Sequence, residues 1–153
     1  MKYLNIEPLL NNVLEINANN HCYDLHSDSD FTSLMYSIAS KNVELVWNYP
    51  SKWFKNNSDF RNDKEYLEIH NIQSYNQRIK LCFGDVALFE VTKLDENPQD
   101  TDVDTLEDIR NYHENKDGVF SEDGSITFVF QSGMKIRIHG KTFSFQIEKD
   151  SKV

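Results

Sequence analysis

Cysteine is nearly absent from this chain. Cys22 and Cys82 stand sixty positions apart, too few for a disulfide framework and without the Cys-x-x-Cys spacing of a structural zinc site. Glycine is scarce as well: all five, at 84, 118, 124, 133 and 140, fall at expected turns, which leaves none for a loop that cradles phosphate. No Gly-x-Ser-x-Gly elbow occurs and neither cysteine sits among basic residues that would lower its pKa, so the sequence signatures of nucleophilic catalysis are missing. Long apolar runs are missing too. The opening MKYLNIEPLLNNVLEIN is interrupted by Glu7, Asn11, Asn12 and Glu15, unlike a secretory signal, and no segment approaches a membrane span. The expectation is a cytoplasmic protein with reduced thiols and no cofactor.

Basic residues are also in short supply, 16 against 25 acidic ones, for a net charge of -9. The deficit is local: residues 95 to 114 hold one basic and eight acidic groups. Asp100, Asp102, Asp104, Glu107 and Asp108 lie there with no Lys or Arg between Lys93 and Arg110. Such a block opposes contact with a phosphate backbone and favours a basic protein partner, so neither nucleic acid nor membrane is expected to bind directly. A solvated loop that serves only solubility is the plainer account of the same residues.

What the chain does have is apolar side chains in short alternating runs. With 39% hydrophobic residues, ten Phe and seven Tyr in 153 positions, it can bury a core as a single domain over residues 1–153, and no repeat or linker divides it. In SITFVFQSGMKIRIHGKTFSFQIEK, Ile126, Phe128 and Phe130, then Met134, Ile136 and Ile138, then Phe143, Phe145 and Ile147 recur at every second position. A turn at Gln131-Ser132-Gly133 sets Phe128 opposite Ile136, and a second at Gly140-Lys141 sets Ile138 opposite Phe143, which predicts a three-stranded meander. QRIKLCFGDVALFEVTKL reads as a hairpin at Gly84-Asp85 or as one strand bent at a bulge. A short strand is expected in KEYLEIHNI. FTSLMYSIAS fits a helix or a strand; the strand is preferred because VELVWNY after it alternates clearly and Ser40-Lys41-Asn42 supplies the turn.

Two helices complete the expected α+β fold. Residues 6 to 16 repeat Ile6, Leu9, Leu10, Val13 and Leu14 at helical spacing, with Pro8 in the first turn. Residues 105 to 114 place Leu106, Ile109 and His113 on one helical face behind Asp104 as N-cap and Glu107 three residues on.

The stretch NNHCYDLHSDSDF gathers His21, Cys22, Asp24, His26, Asp28 and Asp30. As a calcium loop it lacks Gly at the sixth place, and Met35 stands where a bidentate Glu belongs. As a zinc site it is split, because an extended chain turns Cys22 and His26 away from His21. It reads as a polar lead-in to a hairpin, with no metal expected. Trp53, in a polar connection beside Lys52 and Lys55, is a candidate apolar anchor for a partner, although core packing is the plainer role for the aromatic group Trp47, Tyr49, Trp53 and Phe54.

The succession DFTSLMYSIASKNVELVW, RIKLCFGDVALFEV and FVFQSGMKIRIHGKTFSF resembles small, acidic, β-rich bacterial immunity proteins of polymorphic or contact-delivered toxin systems. The resemblance implies a cytoplasmic, non-enzymatic inhibitor that binds a cognate toxin domain; the contacts expected from the charge pattern are Asp100, Asp102, Asp104, Glu107 and Asp108, with Trp53 as the candidate apolar anchor. Two other classes stay open: a small metal-dependent or small-molecule-binding enzyme in which His21, His26 or His70 meets acidic residues, and an acidic nucleic-acid mimic from a phage or defence system.

Overall fold

The computed structural model describes residues 1–8, 14–27, 29–49, 77–92, 105–114 and 116–149. Among them there are thirteen strands and no helix: β1 (Lys2–Leu4), β2 (Glu15–Ala18), β3 (His21–Asp24), β4 (Asp30–Ser37), β5 (Asn42–Tyr49), β6 (Gln77–Gly84), β7 (Leu88–Thr92), β8 (Leu106–Arg110), β9 (His113–Glu114), β10 (Phe120–Ser121), β11 (Ile126–Phe130), β12 (Lys135–His139) and β13 (Thr142–Lys149). The fold is mainly β, which corrects the expected α+β class. One sheet has the order β1-β13-β6-β5-β4, the other β7-β12-β11-β8, and β2-β3 and β9-β10 form two small ribbons.

The two sheets face each other across a core fed by the alternation seen in the sequence. Leu45 and Trp47 on β5, Leu81 and Phe83 on β6, and Phe143 and Phe145 on β13 are buried from one side, and Ile109, Phe128 and Ile136 from the other. The rings of Trp47 and Phe83 each lie 6.1 Å from that of Phe128, which ties the layers directly. Each such aromatic contributes about 1.5–3 kcal/mol by leaving water. The β2-β3 ribbon covers one flank of this core through Ile16, Tyr23 and Leu25, all buried; the Tyr23 ring lies 4.9 Å from Phe145 and 5.5 Å from Tyr49.

Both expected helices are corrected. In the second, Leu106 and Ile109 are fully buried at a spacing of three because β8 carries a bulge: Asp108 pairs with Val129 and Leu106 with Phe130, leaving Glu107 as the extra residue. A bulge and a helical turn bring positions three apart to the same side, so the periodicity was ambiguous. In the first, Glu15–Ala18 is a strand paired with β3, with Ile16 and Ala18 buried by alternation; residues 9–13 lie outside the described residues.

The C-terminal meander is half correct. Gly133, at φ 88°, turns the chain, Phe130 donates its N–H to the Met134 carbonyl at 2.9 Å, and Phe128 stands opposite Ile136. Beyond Gly140 the chain does not turn back. β12 belongs to one sheet and β13 to the other, so Ile138 does not face Phe143 as a partner. The same switch occurs between β6 and β7, where the sequence allowed either a hairpin or a bend, and the bend is what forms. β6 pairs with β13, and β7 with β12, so one long antiparallel ribbon crosses from sheet to sheet.

Three residues, 85–87, bridge the corner on one strand and two, 140–141, on the other; the surplus is a bulge with Asp85 at φ 49°. Lys141 N–H donates to the Gly84 carbonyl at 2.9 Å and Ala87 N–H to the His139 carbonyl at 2.8 Å. The backbones approach so closely that a Cβ on Gly140 would lie 2.7 Å from the Gly84 oxygen. Only glycine fits there.

The β4-β5 hairpin forms as preferred from the sequence, with Leu34 opposite Leu45 and Tyr36 opposite Val43. Its expected shared buried face holds on β5 and, on the first strand, in part at Leu34, which packs against the core; Tyr36 and Ile38 are exposed, since β4 lies at the sheet edge. The expected strand in KEYLEIHNI lies outside the described residues. No helix among the described residues is long and apolar enough to cross a membrane.

Candidate functional site

Among the described strands, β8 stands at one edge of the second sheet. Its start is pinned: the Thr105 carbonyl accepts Gln131 N–H at 2.8 Å, and the Leu106 carbonyl lies 2.5 Å from His26 Nδ1. A carbonyl can only accept, so that nitrogen carries the proton. The bulge leaves Glu107 exposed, while Asp108 is half-buried and accepts from Arg110 Nε at 2.7 Å. The Arg110 guanidinium lies 5.9 Å from the centroid of the Tyr112 ring, and Tyr112 meets Phe120 edge to face at 5.3 Å. A continuous run of contacts therefore leads from the acidic strand to the β9-β10 ribbon, where Val119 and Phe120 are 57% and 61% exposed. Exposed aromatic surface beside charge is the usual composition of a protein contact.

Of the six residues expected to meet a partner, Glu107 and Asp108 are thus placed on this edge. Asp100, Asp102, Asp104 and Trp53 lie outside the described residues. The two placed acids differ in what they can offer: Asp108 is already paired to Arg110, whereas Glu107 projects from the bulge. Val119, Phe120 and Tyr112 were missed by sequence reasoning. The available signal was a lone Val-Phe pair between Gly118 and Gly124, both at positive φ, too short to show a period.

Just beyond Phe120 a polar network fixes the loop. Asp123 accepts the Ser125 N–H at 3.0 Å and its hydroxyl at 2.5 Å and pairs with Arg137, which also reaches Glu90 at 3.3 Å and Ser125 Oγ at 3.1 Å. Partial burial would raise the Asp123 carboxyl, but the two Ser125 bonds and the Arg137 charge outweigh it and lower its pKa to about 2. These carboxylates hold a loop in place. They present no vacant acid or base.

Several described residues of NNHCYDLHSDSDF are likewise engaged within the fold. Cys22 Sγ donates to the Glu15 carboxylate at 3.1 Å, Asp24 accepts the N–H groups of His26 and Ser27, and the His21 ring lies 4.5 Å from Tyr23. Among the described residues no three His, Cys, Asp or Glu side chains converge as metal ligands. Asp28 and His70 lie outside those residues.

No family model and no curated protein matches the chain. Among solved structures it is similar to an uncharacterized protein from Neisseria gonorrhoeae, at 10% identity and a TM-score of 0.39, over 78% of this chain and 90% of that one. A likeness that loose carries neither fold nor activity across.

Proposed function

We propose that the protein is a non-enzymatic immunity protein of the bacterial cytoplasm that binds a basic toxin domain through the β8 edge and the adjoining aromatic ribbon. The observation that carries this reading is the run from exposed Glu107 through Asp108, Arg110 and Tyr112 to exposed Phe120. Its chemistry suits a two-part task. The acidic segment raises the rate of encounter with a basic surface, and burial of Phe120 and Val119 on contact slows escape. Pairing Asp108 with Arg110 before binding leaves Glu107 as the acid on this strand that meets the partner's cation.

The test is a pull-down with the product of a neighbouring toxin-like reading frame, followed by binding kinetics. Glu107→Lys is expected to lower the association rate with little change in dissociation, and Phe120→Ala to raise the dissociation rate roughly tenfold or more. Binding unaltered by both substitutions refutes the proposed surface.

A further inference from the structure

The opposite side of the sandwich has a different character. Among the described strands, β4 stands at one edge of the first sheet and β7 at the edge of the second sheet opposite β8. Between them Tyr36 stacks on Phe89, centroids 5.1 Å apart. On the side of β4 that carries this stack, Ile38 is 81% and Val91 of β7 47% exposed; Met35, opposite Glu44 on the other face of β4, is 58% exposed. From Phe31 to Ser40 the sequence holds no charged residue and no proline. Lysine, proline and short length are the ordinary guards of an edge strand. β4 has eight residues and, as its one irregularity, a bulge near its start between Phe31 and Ser33.

We infer that this edge binds a second copy of the chain, β4 against β4, antiparallel about a two-fold axis. An antiparallel strand edge is self-complementary, because the backbone donors and acceptors of one copy meet the acceptors and donors of the other. Charge selects the same surface. Each copy carries -9, so approaches through acidic faces repel, whereas residues 31–40 bring no charge to the contact.

The two ends of the strip carry opposite signs. Asp30 opens β4 and Lys41 closes the turn after it. Antiparallel pairing of β4 sets each copy's Asp30 at the end of the strip that leads into the other's Lys41 turn, and parallel pairing does not. A basic partner of the kind proposed above gains nothing from this neutral strip, so the two surfaces stand or fall separately.

Sedimentation equilibrium on the full chain, at loadings from about 5 to 500 μM, is the test. A reversible monomer–dimer equilibrium is expected, and Ile38→Lys, at an exposed turn position, weakens it at least tenfold with an unchanged circular dichroism spectrum. Lys41→Glu weakens it as well, and Asp30→Lys combined with Lys41→Glu restores it. A chain that stays monomeric at the highest loading overturns the inference. So does a dimer indifferent to Ile38→Lys, or one in which the double exchange fails to recover what Lys41→Glu lost.

Discussion

Replacing Gly140 by alanine tests the sheet-switching corner at its tightest point. The added Cβ would stand 2.7 Å from the Gly84 carbonyl oxygen and 3.5 Å from Val86 Cγ2. Ordinary contact begins near 3.4 Å, so the two backbones must part by about 0.7 Å. That movement stretches the bonds from Lys141 N–H to Gly84 and from Ala87 N–H to His139, now 2.9 and 2.8 Å. Weakening two such bonds costs about 1–1.5 kcal/mol each, and the reduced freedom of the unfolded chain returns about 0.5–1 kcal/mol. A net loss of roughly 2 kcal/mol follows, equivalent to a Tm lower by about 4–8 °C for a chain of this size.

Urea unfolding measures it, with Gly84→Ala as the internal comparison. There the intruding Cβ meets the Thr142 hydroxyl, a side chain, so Thr142→Ala should relieve Gly84→Ala and leave Gly140→Ala unrelieved. A Gly140→Ala protein as stable as its parent, or one rescued by Thr142→Ala, refutes the account of the corner.

Three further outcomes are expected. Asn5, at φ 52°, donates from Nδ2 to the Phe145 carbonyl at 2.7 Å and accepts Phe145 N–H at 3.0 Å, extending the β1-β13 pairing with a side chain; Asn5→Ala should cost about 2 kcal/mol in denaturant unfolding. The Asp123 carboxyl has a folded pKa near 2 against an ordinary 3.8; its contribution is complete above the unfolded value and fades as pH falls toward the folded one. Discounted for an exposed side chain, that is about 1 kcal/mol, so the stability gap between the parent and Asp123→Asn should shrink as pH falls from about 4 to 2. Removing the ring that tethers β8 to the β2-β3 ribbon, His26→Ala, should lower stability by about 1 kcal/mol, read from the urea midpoint.

Much of the fold was legible because burial on one face of a strand writes itself as period two. β5, β6, β11 and β13 could be placed that way, and Gly133 set the register of Phe128 against Ile136. Alternation says which side chains face the core but not from which layer they come. A Gly-Lys turn and a Gly-Lys corner leave the same apolar pattern on either side, so the sheet switch after His139 was invisible. Bulges erased the remaining distinction: Leu106 and Ile109 share a face across Glu107, a spacing that belongs equally to a helix. At the candidate site, Glu107 and Asp108 were visible as charge. Phe120 was hidden, since one exposed aromatic in a short ribbon has no repeating neighbours to mark it.

The pairing order carries a consequence for synthesis on the ribosome. β1, at residues 2–4, finds its partner in β13, at residues 142–149; β6 waits for the same strand, and β7 for β12. The early strands therefore emerge without their neighbours, and at about 5–20 residues per second the wait lasts several seconds or longer. During that interval the first sheet exists only as the β4-β5 hairpin and whatever β6 adds to it. The first sheet can close only when β13 has arrived to join β1 to β6.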